Sequence, residues 1–186
     1  FYFTTCGWMM WNWLVSSLSI GSTIILYDGN PFYPDEKKLL KMADELQINV
    51  FGTSAKYISA LESQNIFPNE VSTFSHLKSI LSTGSPLVDE NYDFVYEKWK
   101  NDIQLCSISG GTDIISCFAL GNPILPVKKG ELQCRGLGMK VESYDNNGCS
   151  VINLKGELVC TKAFPSMPIY LWNDEKNEKF MKTYFN

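Results

Sequence analysis

Hydrophobic positions change their spacing several times along this chain. Residues 7–20 are apolar with few polar breaks, which predicts a buried helix ended by Gly21. Thr23-Ile24-Ile25-Leu26-Tyr27 predicts a strand, and Asp28-Gly29-Asn30-Pro31 a turn. Behind Pro34, Leu39, Leu40, Met42, Ala43 and Leu46 fall near helical spacing, so residues 34–47 predict a helix. Residues 49–53 predict a short strand. Ser54 then caps a helix to about residue 63, with Ala55, Ile58 and Leu61 on one side. A strand at 77–81 ends at Thr83-Gly84-Ser85-Pro86. An amphipathic helix at 89–100 follows, with Tyr92, Val95, Tyr96 and Trp99 on its buried stripe, and then a strand at 103–108.

Repeated strand–helix units at this spacing imply parallel strands joined by right-handed crossovers. Ligands of such sheets bind beyond the carboxyl ends of the strands. The segments Gly84-Ser85-Pro86 and Ser109-Gly110-Gly111-Thr112 each follow such an end and are expected to face one crevice. After Pro126 the texture changes. Residues 130–134, 139–144 and 156–160 read as short antiparallel strands, with Asp145-Asn146-Asn147-Gly148 a turn between them. Asn173 or Asp174 is expected to cap a last short helix toward Lys182. The fold class is therefore α/β: a mostly parallel sheet flanked by helices at residues 1–126, then a smaller antiparallel β-rich, barrel-like part at 127–186, incomplete at its C-terminal end.

Composition narrows the function. The 186 residues are 45% hydrophobic and 19% charged, as in globular domains. The net charge of −4, with no basic stripe, argues against a nucleic-acid partner. The six cysteines have no CxxC spacing, and His76 is the only histidine, which argues against a zinc site. Cys6, Cys106, Cys117 and Cys160 lie in apolar runs, as reduced thiols in a cytosolic protein do. No charge precedes Asp28. Yet Gly21 splits that run, no Lys or Arg flanks it, and Trp8, Trp11 and Trp13 cluster instead of marking two interfaces, so no membrane span is expected. No basic start marks a signal peptide, and the chain reads as a piece of something longer.

Candidate chemistry centres on Ser107-Ile108-Ser109-Gly110-Gly111-Thr112-Asp113-Ile114. Two glycines let backbone pass close to a ligand. Thr112 can donate to a phosphate oxygen, and Asp113 can hold a hard cation such as Mg²⁺. By itself this pattern is weak, because a Gly-Gly pair before Thr-Asp is more often an ordinary turn. No GxGxxG follows a strand, which disfavours a redox enzyme. His76 reads as a strand-entry histidine without relay partners.

Four words in fixed order carry a resemblance: Cys6-Gly7-Trp8-Met9-Met10-Trp11-Asn12-Trp13, Leu81-Ser82-Thr83-Gly84-Ser85-Pro86-Leu87, residues 107–114, and Gly156-Glu157-Leu158-Val159-Cys160. Together they resemble the acyl-CoA synthetases that form acyl-adenylates, and among them those acting on acetoacetate. The resemblance implies that the chain is part of a large N-terminal adenylation domain. It implies ATP, Mg²⁺ and CoA as small-molecule reactants: a carboxylate attacks the α-phosphate, pyrophosphate leaves, and the CoA thiol then takes the acyl group.

By the same resemblance Gly84, Ser85 and Pro86 lie along the adenine, and Ser109, Gly110, Gly111 and Thr112 complete the nucleotide site. Thr112 touches the α-phosphate. Asp113, usually Glu in the wider superfamily, holds Mg²⁺. Trp8, Met9, Met10, Thr83 and Gly110 line the acyl pocket. The acetate-specific members carry bulky aromatics at the positions of Ser109 and Gly110, so small residues here open room for a longer acid. Such a difference discriminates by only ~1–3 kcal/mol per methylene, so it permits acetoacetate without dictating it. The resemblance also places a Gly/Ser/Thr-rich phosphate loop before Phe1. It places a ribose-binding Asp just after Asn186, introduced by Thr183-Tyr184-Phe185-Asn186, and a lid with a catalytic Lys beyond that. Another short-chain acid ligase of the acetate or butyrate type, or a non-catalytic Rossmann-like ligand-binding domain, are the competing readings.

Overall fold

The structure, a computed structural model, describes residues 1–185; Asn186, the end of the expected lead-in to the ribose site, lies outside them. Two helices precede the sheet, α1 (Met9–Ser16) and α2 (Lys38–Glu45). The strand β1 (Val50–Ser54) runs directly into α3 (Ala55–Ser63), and β2 (Ser79–Thr83) leads to α4 (Asp89–Phe94), which continues as a π-helical turn over Val95–Trp99 before β3 (Gln104–Ser107). Ser54 caps α3 as expected: its Oγ accepts from the Tyr57 amide at 3.3 Å.

The strands β1, β2 and β3 form a parallel sheet in that order, with Thr53 opposite Ser82 and Ser82 opposite Ser107. Their carboxyl ends therefore lie side by side. Alternation along the strands sorts side chains to two faces. Phe51, Ile80 and Leu105 face the main core with Leu39 and Leu40 of α2, Ile58 and Leu61 of α3, and Val95 and Trp99. Leu81 faces the other way, toward a smaller cluster of Tyr2, Met9 and Met10. Each fully buried aliphatic or aromatic side chain in the main core is worth roughly 1.5–3 kcal/mol.

Beyond β3 the pairing is antiparallel. The short β4 (Ser109–Gly111) pairs with β5 (Ser116–Leu120), which pairs with β6 (Cys134–Arg135). A separate sheet has β7 (Val141–Tyr144) between β8 (Ser150–Val151) and β9 (Glu157–Cys160). The turn at 145–148 closes the hairpin of β7 and β8, its Asp145 carboxylate accepting from the Asn147 and Cys149 amides at 2.9 Å each. The chain ends in α5 (Glu178–Tyr184). Among the described residues no helix is long and apolar enough to cross a membrane.

Several local expectations are corrected. Residues 23–27 pair with no strand among the described residues; Ile25 and Tyr27 pack against the main core while Leu26 stays exposed. A strand needs a neighbour, which β propensity does not supply. The helix expected over 7–20 is α-helical only over α1 and buries only one stripe, Met9, Met10 and Leu14, leaving Trp8, Trp13 and Val15 exposed. The helix expected at 34–47 shrinks to α2, and the strand expected at 77–81 slides to β2. Of 130–134, only Cys134 enters a strand. The N-cap position of α5 is Asn177, although the Asp174 carboxylate still accepts from the Lys179 and Phe180 amides at 3.1 and 2.8 Å. Cys6 is exposed and so packs as no hydrophobe. Residues 109–111, expected as loop, open a strand.

Candidate functional site

The site begins where β2 and β3 end. The Thr83 hydroxyl donates to the Ile108 carbonyl at 3.1 Å and the Ile108 amide donates to Ser82 O at 2.9 Å, stitching the two exits together. The chain after β2 turns through Gly84, in the left-handed region at φ 88°, into Ser85 and Pro86. The chain after β3 enters β4 at once. Both segments therefore sit at one end of the parallel sheet and wall the same cavities.

One cavity, of about 210 Å³, has Trp8, Met9 and Met10 on the α1 side, Thr83 and Gly84 at the exit of β2, and Gly110, Gly111 and Thr112 opposite. A neighbouring cavity of about 400 Å³ is bounded by residues 83–87, Ser109 and Gly110, with Tyr92 and residues 130–132 beyond. The Tyr92 hydroxyl donates to Glu131 O at 3.2 Å and holds that outer wall to α4. Thr83, Gly84 and Gly110 border both spaces. A third, more apolar cavity of about 260 Å³ lies behind Met9 and Met10, against Tyr2, Leu81, Cys106 and Cys117. Burial pushes the Cys106 thiol up to about 11 and raises that of Cys117 as well. Both stay neutral thiols near pH 7 and serve as apolar wall.

All the residues singled out as acyl-pocket or nucleotide-binding candidates border these first two cavities. Asp113 does not. It lies exposed on the turn from Thr112 to Ile115, its Oδ2 accepting from the Tyr184 hydroxyl at 2.8 Å. Ile108, Cys117, Tyr92 and Tyr184 are additions that sequence reasoning missed. Ile108 and Cys117 were legible only as strand residues, and Tyr184 stands 71 residues from its partner. His76 is exposed, and its carbonyl, not its ring, is engaged, by Asn49 Nδ2 at 2.9 Å.

Gly110 has a second reason to be glycine. A Cβ there would lie 2.3 Å from the Ser116 carbonyl oxygen and 2.8 Å from the Cys117 Cα, both backbone of β5. The hairpin of β4 and β5 closes on that missing atom. The space beside Gly110 thus reflects strand packing as well as any acid.

Among the described residues no three His, Cys, Asp or Glu side chains cluster to hold a metal. Asp113 offers a single exposed carboxylate, and Thr112 a hydroxyl at the cavity wall. That donor set suits Mg²⁺ arriving with a polyphosphate, since this ion is usually held by one or two carboxylates plus substrate oxygens.

No family model matches the sequence. An acetoacetyl-coenzyme A synthetase of Rhizobium meliloti (strain 1021) is 54% identical over 186 residues, all of this chain and 29% of that protein. The solved acetoacetyl-CoA synthetase of Streptomyces lividans superposes with a TM-score of 0.93 at 40% identity, over 100% of this chain and 29% of its own. An anthranilate CoA ligase solved with anthranoyl-AMP superposes at a TM-score of 0.65 over 87% of this chain and 30% of its own; at 17% identity it shows the shared fold alone. The chain therefore spans under a third of the length of the relatives it matches. By similarity along its whole length, the chain belongs with the acetoacetyl-CoA synthetases, as one segment of that larger protein.

Proposed function

We propose that the protein of which this chain is a segment is an AMP-forming acid–CoA ligase. It activates acetoacetate as acetoacetyl-AMP at the expense of ATP and passes the acyl group to CoA. The observation that carries this reading is the meeting of the two strand exits over a shared wall, with Trp8, Met9 and Met10 closing the smaller cavity. The larger cavity, edged by Gly84, Ser85 and Pro86, takes the flat adenine, because backbone without bulk can lie along a purine. The smaller one takes the acid. Thr112, on its rim, donates to an α-phosphate oxygen as charge builds there.

Asp113 would hold Mg²⁺, which supplies neutralisation of phosphate charge when an anionic carboxylate approaches a polyanion. This chain's residues do the orienting. Met9, Met10 and Cys117 exclude water from the acyl end, and the glycines of β4 let the two reactants approach across backbone. The setting we propose is cytosolic use of a ketone body in lipid metabolism, where the cysteines remain thiols.

An acid panel on the full-length protein tests the reading. AMP formation with CoA and saturating MgATP should give a higher kcat/KM for acetoacetate than for acetate or butyrate. A preference for either of the others would replace the acid; no AMP with any of the three would remove the ligase reading altogether.

A further inference from the structure

Asp113 sits on an exposed turn, where a carboxylate ordinarily swings freely. Here both of its oxygens are placed. Oδ2 accepts from the Tyr184 hydroxyl at 2.8 Å. Oδ1 folds back over the chain to within 2.5 Å of where a Gly111 side chain would begin, a space that glycine at 111 leaves open. Among the described residues Oδ1 accepts no hydrogen bond, and no lysine or arginine pairs with this carboxylate.

Tyr184 is itself held. Its ring packs on Phe180 with centroids 5.2 Å apart, and the Asp174 carboxylate fastens the start of α5 through the Lys179 and Phe180 amides. A hydroxyl on a capped helix thus meets a carboxylate on an exposed turn from 71 residues away. Among the described residues this carboxylate makes no ion pair, and the contact holds it pointed.

We propose that Tyr184 is a positioning residue for the nucleotide-bound cation: its hydroxyl fixes the Asp113 carboxylate with one oxygen free for Mg²⁺. This rests on the reading of Asp113 as the cation's protein ligand. Hydrogen bonds behind metal ligands act through geometry. They fix the ligand's orientation before the ion arrives, so less freedom is lost on binding.

The test uses the full-length protein and Mn²⁺ as the probe, with binding followed by electron paramagnetic resonance in the presence of a non-hydrolysable ATP analogue. Y184F keeps the ring against Phe180 and removes only the donor, so its melting temperature should stay near that of the parent. Its Mn²⁺ affinity should fall about tenfold, the lower end of what such outer contacts contribute. The half-saturating Mg²⁺ for ATP–pyrophosphate exchange should rise in parallel. D113N should lose more, and the D113N/Y184F double variant should bind no more weakly than D113N alone, because the hydroxyl acts only through that carboxylate. Unchanged Mn²⁺ affinity in Y184F beside a clear loss in D113N overturns the role of Tyr184 and leaves the ligase reading intact. A further loss in the double variant over D113N also overturns it, since the hydroxyl then acts elsewhere. If D113N itself binds Mn²⁺ as the parent does, the assignment of Asp113 fails and this inference falls with it.

Discussion

At the residue scale, Gly110 shows how one position can answer to two demands. The resemblance to acyl-adenylate-forming enzymes would explain its smallness by the acid, since a bulky ring at this position is expected to trim the pocket for acetate. The packing explains it by the hairpin, where added carbon would meet the Ser116 and Cys117 backbone. Backbone cannot swing aside as a flexible side chain can, so the second demand is the stricter one. In the full-length protein, G110A should lower stability by ~1–3 kcal/mol, the range of overpacked sites, as read from thermal or denaturant melts. A variant as stable as the parent would show that β4 and β5 can part at no cost. A tryptophan at 110 is then a poor probe of acid preference, because it disturbs the strand before it fills the pocket.

At the element scale, the helix after β1 depends on its first residue. Ser54 supplies the acceptor for the Tyr57 amide, and S54A should destabilise the full-length protein by ~1 kcal/mol, measured by urea denaturation. No change would mean that water replaces the hydroxyl fully. This element was legible in the chain because its signals are local: a capping serine, then Ala55, Ile58 and Leu61 on one side. The exits of β2 and β3 were legible for a similar reason, since strand–helix alternation dictates parallel neighbours with their carboxyl ends together. The misses share the opposite cause. Residues 23–27 have the side chains of a strand and no partner among the described residues. Residues 109–111 have the glycines of a turn and a partner in β5 that makes them a strand. The contact of Tyr184 with Asp113 has no local signature at all.

At the scale of the whole molecule, the chain holds walls of a site and spans under a third of its relatives' length. Large apolar side chains such as Ile152, Ile169 and Trp172 lie open on the part that follows β8. The 186 residues alone should therefore give no ATP–pyrophosphate exchange above a mock preparation. Robust exchange from this chain alone would mean that the residues along β2, β4 and α1 suffice for adenylation.

The partition formed by Thr83, Gly84 and Gly110 belongs to two rooms at once. On the proposed function, redecorating it for a new acid would also disturb the lodging of the base, so selectivity and nucleotide KM would drift together. Trp8, Met9 and Met10, on the opposite side of the smaller room, line it without bordering the larger space. Divergence toward other substrates has its freest path through that helix, and a library confined to those three positions is the one that could change diet while leaving the grip on ATP alone.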